Sequence, residues 1–144
     1  MRTTGFIFFI FITLWYLWAG KDFFNKKDWL LFFLKFIGVL ILTVIFGFML
    51  KFLMSVWSGL SLSTAKELTS KFGASLSVVL GMKFLVVMLC EIFSRIMGFH
   101  QKYNQENYNG LSSLANKFSS PLLILAKCVV SCGSMLIFYG IWLA

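Results

Sequence analysis

The chain has 144 residues, of which 60% are hydrophobic and only 12% charged. That is more apolar surface than a water-soluble domain of this size can hide, because about a third of such a domain stays exposed. A mean hydropathy of +0.89 points to lipid as the solvent, and a net charge of +8 does not redirect the reading to nucleic acid. The lysines are scattered singly at segment ends instead of lining one face, so a bilayer is the expected partner and direct nucleic-acid binding is not.

A single proline and the lack of polar/apolar alternation predict helices and not a barrel. The expected fold class is all-α: one polytopic membrane domain, residues 1–144, a bundle of about four transmembrane helices with short loops. Residues 3–19 form an apolar run close to the minimum that spans roughly 30 Å of hydrocarbon. Leu17, Trp18 and Ala19 lack the small residue needed three positions before a signal-peptide cut, so the run is expected to stay as a span. After the polar stretch 20–28, Asp28 is expected to cap a second helix over 29–57, with Lys35 and Lys51 snorkelling from its ends.

Thr64 and Glu67 have the spacing of a capping box and predict a third helix over 65–99. At 1.5 Å per residue it is about 52 Å long and exceeds the bilayer. The hydrophilic stretch 100–120 reads as a loop or surface-lying segment. Ser120 and Pro121 then supply a cap and a first-turn proline for a last helix over 121–144. Four spans put both termini on one side. Lys21, Lys26, Lys27, Lys35, Arg95, Lys102 and Lys117 belong to loops one and three. Arg2, Lys51, Lys66 and Lys71 belong to the amino end and loop two. The excess of basic residues predicts that loops one and three are cytoplasmic.

Few residues offer chemistry. Lys83 stands about eleven residues from either end of the third span, too deep to snorkel, and Glu91 is the one acid inside a spanning segment. The expectation is that Glu91 pairs with Arg95 at i+4 while Lys83 tucks against neighbouring carbonyls; a proton or ion pathway through these intramembrane charges is the competing reading. Lys127 can snorkel and receives no role. Gly73, Ser77 and Gly81 recur every four residues and predict a helix-packing groove, facing a helix of this chain or of a second copy. Cys90, Cys128 and Cys132 read as packing residues, with neither disulfide nor metal spacing. One histidine, no phosphate-cradling loop and no nucleophile paired with a base predict no enzyme, no cofactor and no catalytic site. Recognition of a partner falls to the Tyr- and Asn-rich stretch, with Phe99, His100, Tyr103, Asn104, Asn107, Tyr108 and Asn109 as its candidate residues.

The opening Thr4-Gly5-Phe6-Ile7-Phe8-Phe9-Ile10, the run Trp15-Tyr16-Leu17-Trp18-Ala19-Gly20-Lys21-Asp22, and the short Phe- and Lys-rich polytopic plan resemble the small inner-membrane entry-exclusion proteins of conjugative elements. Phage superinfection-exclusion and bacteriocin-immunity proteins share that plan. The resemblance implies a multi-pass protein of the bacterial inner membrane that binds a transfer component, another membrane protein, and blocks DNA uptake. Two other classes stand beside it: an accessory subunit of a larger membrane complex, and a homo-oligomer that conducts ions or protons.

Overall fold

The computed structural model describes the backbone of residues 2–56 and 59–144, with side chains throughout except at 105–107, 109, 111, 114, 116 and 118. Among the described residues the regular structure is entirely helical, in the order α1 (Arg2–Ala19), α2 (Lys26–Val56), α3 (Leu62–Tyr103) and α4 (Gln105–Trp142). Each contains a stretch long and apolar enough to cross a membrane, Ser119–Trp142 in the case of α4.

α3 is the central element: its backbone packs against α1, α2 and α4, whereas among the described residues that of α2 approaches α3 alone. Three buried clusters gather on different faces and levels of α3. Val79 meets Phe9, Phe138 and Trp142; Met82, Val86 and Cys90 meet Leu17; Leu80 meets Phe32 and Val39. The contacts of Arg2 with Glu67 at 3.6 Å and of Trp142 Nε1 with Ser75 Oγ at 2.9 Å bring the start of α1, the start of α3 and the end of α4 together. α1 therefore runs parallel to α3, and α4 antiparallel to both.

Local capping explains where the elements begin. Asn25 Oδ1 accepts from the Asp28 amide at 2.9 Å, and Asp28 Oδ2 accepts from the Asn25 amide at 3.1 Å. This is a reciprocal capping box that starts α2 three residues earlier than an Asp28 cap would. The expected end at Trp57 lies outside the described residues. For α3 the cap is Ser61, whose Oγ accepts from the Thr64 amide at 3.2 Å. Glu67 turns instead to Lys71 at 2.8 Å.

The largest departure from the sequence reading is the stretch 100–120. It is helical on both sides of a single break at Asn104, so α3 and α4 form one long antiparallel hairpin. Leu111, Leu114 and Phe118 recur at helical spacing in the sequence, a weak period that the surrounding Asn and Ser obscure. Pro121 lies inside α4, where it removes one backbone hydrogen bond without ending the helix. Twenty residues of α3 follow Lys83, so the hairpin runs on for about 30 Å past the level of that lysine.

Gly73, Ser77 and Gly81 are not used as one groove. A Cβ on Gly73 would lie 2.7 Å from Thr43 Cγ2, so this glycine is what lets α2 approach α3. Ser77 is exposed and donates to the Gly73 carbonyl at 3.0 Å, and a Cβ on Gly81 would meet nothing within 4 Å. Gly73→Leu is therefore expected to cost more than the roughly 1–3 kcal/mol typical of overpacking, because α3 is the one backbone neighbour of α2 among the described residues. Gly81→Ala should be neutral or gain up to about 1 kcal/mol from helix propensity. Denaturation of the two variants in one detergent checks this, and equal midpoints would refute the assignment of Gly73 to the α2–α3 contact.

Candidate functional site

α1 ends at Ala19, and Gly20 begins a short connection that folds back over the middle of α3. Gly20 has a definite reason to be small: a Cβ there would lie 3.1 Å from Lys83 Nζ and 3.1 Å from the Tyr16 carbonyl. Two residues on, the Asp22 carboxylate divides its oxygens between two lysines. Lys83 Nζ donates to Asp22 Oδ1 at 3.1 Å, and Lys127 Nζ donates to Asp22 Oδ2 at 2.7 Å. Lys83 donates also to the Leu17 carbonyl at 3.3 Å, at the open end of α1.

The side chains of Lys83, Lys127 and Asp22 are only 2%, 9% and 17% exposed. Lys127 lies over the Trp18 ring, 5.7 Å from its centroid, and Trp18 Nε1 donates to Ser131 Oγ at 3.4 Å. One carboxylate thus ties the α1–α2 connection to α3 and α4 at once. Lys21, the residue before Asp22, is largely exposed and pairs with Asp28 at 3.7 Å.

Beside this cluster, between α1, α2 and α3, lies a cavity of about 430 Å³. Lys21, Lys35 and Lys83 reach it, with the Tyr16 ring and apolar side chains such as Phe32 forming much of its wall. Lys35 Nζ donates to the Tyr16 hydroxyl at 2.9 Å and sits 5.0 Å from the centre of that ring.

The residues singled out in the sequence are dispersed. Glu91 pairs with Arg95 at 3.0 Å on the α3 surface. Eight residues separate Glu91 from Lys83, about 12 Å along the axis, so these two charges form no pair. Lys83 meets a neighbouring carbonyl, that of Leu17, as expected, but it also pairs with Asp22, which Lys127 shares; the expectation that Lys127 has no role is corrected by these contacts. At the far end of α3, Phe99 and Tyr103 are exposed with ring centroids 4.9 Å apart, and Lys102 Nζ lies 5.2 Å from the Tyr103 ring. His100, Asn104 and Tyr108 are partly buried. The side chains of Asn107 and Asn109 lie outside the described residues. Cys90 is buried, and Cys128 and Cys132 are exposed free thiols.

As chemistry, a lone carboxylate held between two ammonium groups is a fastening. A proton relay needs a succession of titratable groups, and here the next acid along α3 is committed to Arg95 on the surface. No protein-family model, curated protein or solved structure matches this chain.

Proposed function

We propose that this chain is a non-enzymatic, multi-pass protein of the bacterial inner membrane that excludes an incoming conjugative element or phage by binding one of its membrane-associated transfer components. The membrane part of the reading rests on four apolar helices and on the outward faces of α1 and α2, where Phe11, Trp15, Leu40, Phe48 and Phe52 are all exposed. In water such a surface would aggregate, and in lipid it is the expected one. Loops one and three are assigned to the cytoplasm on their basic residues, which places the α3–α4 tip on that side.

The observation that carries the exclusion reading is that tip. Helix faces in lipid gain little hydrophobic drive from meeting a partner. A helical hairpin that runs beyond the α1 end and displays Phe99 and Tyr103 at a wet surface offers aromatic anchors where they can discriminate. Recipient cells expressing the chain should resist at least one element in a panel of conjugative plasmids and phages. Phe99→Ala combined with Tyr103→Ala should weaken partner binding by about 30-fold or more and abolish that resistance at unchanged membrane abundance. A double variant that excludes as well as its parent removes the tip as the recognition surface.

One feature favours the accessory-subunit reading as a second choice. α2 leaves most of its length uncovered, with Ile37, Leu40, Ile41, Val44 and Phe48 all exposed, a face that another membrane subunit could take. Recovery of a stoichiometric membrane complex with α2 at its interface would favour this role over exclusion.

A further inference from the structure

The cavity beside Asp22 is unevenly charged. Lys21 is matched by Asp28, and Asp22 is divided between Lys83 and Lys127. Lys35 meets only the neutral Tyr16 hydroxyl among the described residues. The cavity lining itself holds three lysines, Lys21, Lys35 and Lys83, against one carboxylate, Asp28, and with Asp22 and Lys127 behind Lys83 the cluster counts four lysines to two carboxylates. One of the four, Lys83, is almost wholly buried and reaches both the carboxylate and the cavity. The walls are largely apolar, with Phe24, Leu31 and Phe32 among the lining residues. Surplus cationic donors inside an apolar recess at the end of a span suit one class of ligand, an anionic group carried on a hydrocarbon body.

We propose that this cavity binds the phosphate of an anionic membrane lipid, with Lys35 and Lys83 as the charged donors, the Tyr16 hydroxyl as a neutral one, and the acyl chains lying along the exposed apolar face of α2. Lys35 is the selective element, since among the cavity's lysines it is the one with no carboxylate partner within the described residues. Lys83 is a shared one, held in place by Asp22 whether or not a lipid is bound. The inference rests on the membrane reading and is independent of exclusion.

The test uses the full chain purified in a neutral detergent and titrated with phosphatidylglycerol, phosphatidylcholine or inorganic phosphate. Bound lipid is counted by native mass spectrometry, and the unfolding midpoint is followed in parallel. Phosphatidylglycerol should bind saturably and raise the midpoint, while phosphatidylcholine and inorganic phosphate at the same concentration should do neither. Lys35→Gln, a change at an exposed side chain, should weaken phosphatidylglycerol binding about fivefold, the effect of one lysine near an anionic headgroup. Lys51→Gln, on the same helix but outside the cavity, should leave it unchanged. Equal binding of the two lipids, an undiminished affinity in Lys35→Gln, or an equal response to inorganic phosphate each overturns the lipid site. Resistance of the chain to alkaline carbonate extraction from cell membranes reports separately on bilayer insertion. A lipid-indifferent chain that resists extraction therefore refutes only this inference, and one that is extracted refutes the membrane reading itself.

Discussion

Asp22→Asn should lower the unfolding midpoint by on the order of 10 °C. Removing one member of a buried ion pair costs roughly 3–5 kcal/mol, because the charge left behind is neither solvated nor compensated, and a chain of this size loses about 2–4 °C per kcal/mol. Here the loss strands two ammonium groups, those of Lys83 and Lys127, whose side chains are 2% and 9% exposed. The exposed pair Glu91–Arg95, with Arg95 at 79%, is the control: Glu91→Gln should cost below about 1 kcal/mol. Replacing all three charges together, Asp22→Asn with Lys83→Met and Lys127→Met, should recover most of the loss, since apolar groups of similar volume fill such a site about as well as a buried triad. Equal midpoints for Asp22→Asn and Glu91→Gln would show that the carboxylate fastens nothing.

The second large effect is expected at Gly5. A Cβ at this position would lie 2.5 Å from Trp142 Cζ3. That indole is 6% exposed, stacks on Phe9 with centroids 5.8 Å apart, and donates to the buried Ser75 hydroxyl at 2.9 Å. It has nowhere to retreat without breaking that bond. Gly5→Val therefore adds an overpacking cost of about 1–3 kcal/mol to the penalty of about 1–3 kcal/mol for stranding buried polar groups. Gly38→Ala makes the opposite test: nothing lies within 4 Å of its Cβ position, so the helix-propensity gain of up to about 1 kcal/mol should appear undiminished. Chemical denaturation of the two variants in the same detergent should move their midpoints in opposite directions. A Gly5→Val protein as stable as its parent would mean that Trp142 is not seated against α1.

What the sequence made legible was composition and hydropathy, which act over whole segments. The four apolar helices and the Glu91–Arg95 neighbour relation at i+4 could be read directly, since both depend on residues close in the chain. The Asp22 cluster could not, because its members are 61 and 105 residues apart in sequence and no local period links them. One signal was available: Lys83 and Lys127 both lie within apolar runs, and the chain has only five acids to offer them. Asp22 sits just past the end of the shortest helix, where a connection need not stay level with the other helix ends. The hairpin at Asn104 was obscured for a different reason. Asn, Ser and Gly dominate residues 104–120 in composition, and side-chain propensity is a weak prior that tertiary packing readily overrides. Pro121 carries the signature of a helix start because proline favours the first turn, yet it stands inside a helix that continues through it.

The Asp22 carboxylate touches two lysines at once, and a distance measurement reads that directly. In protein reconstituted in lipid, labelled with ¹³C at the aspartate carboxyls and ¹⁵N at the lysine side chains, Asp28→Asn leaves Asp22 as the single aspartate signal. Solid-state dipolar recoupling should then show the Asp22 carboxyl dephased by two lysine nitrogens at hydrogen-bond range, as expected from oxygen–nitrogen separations of 3.1 and 2.7 Å. Lys83→Met and Lys127→Met should each remove one of the two couplings. A carboxyl that shows no lysine coupling, or whose coupling survives both substitutions, would contradict the Asp22 fastening and the packing of the α1–α2 connection built on it.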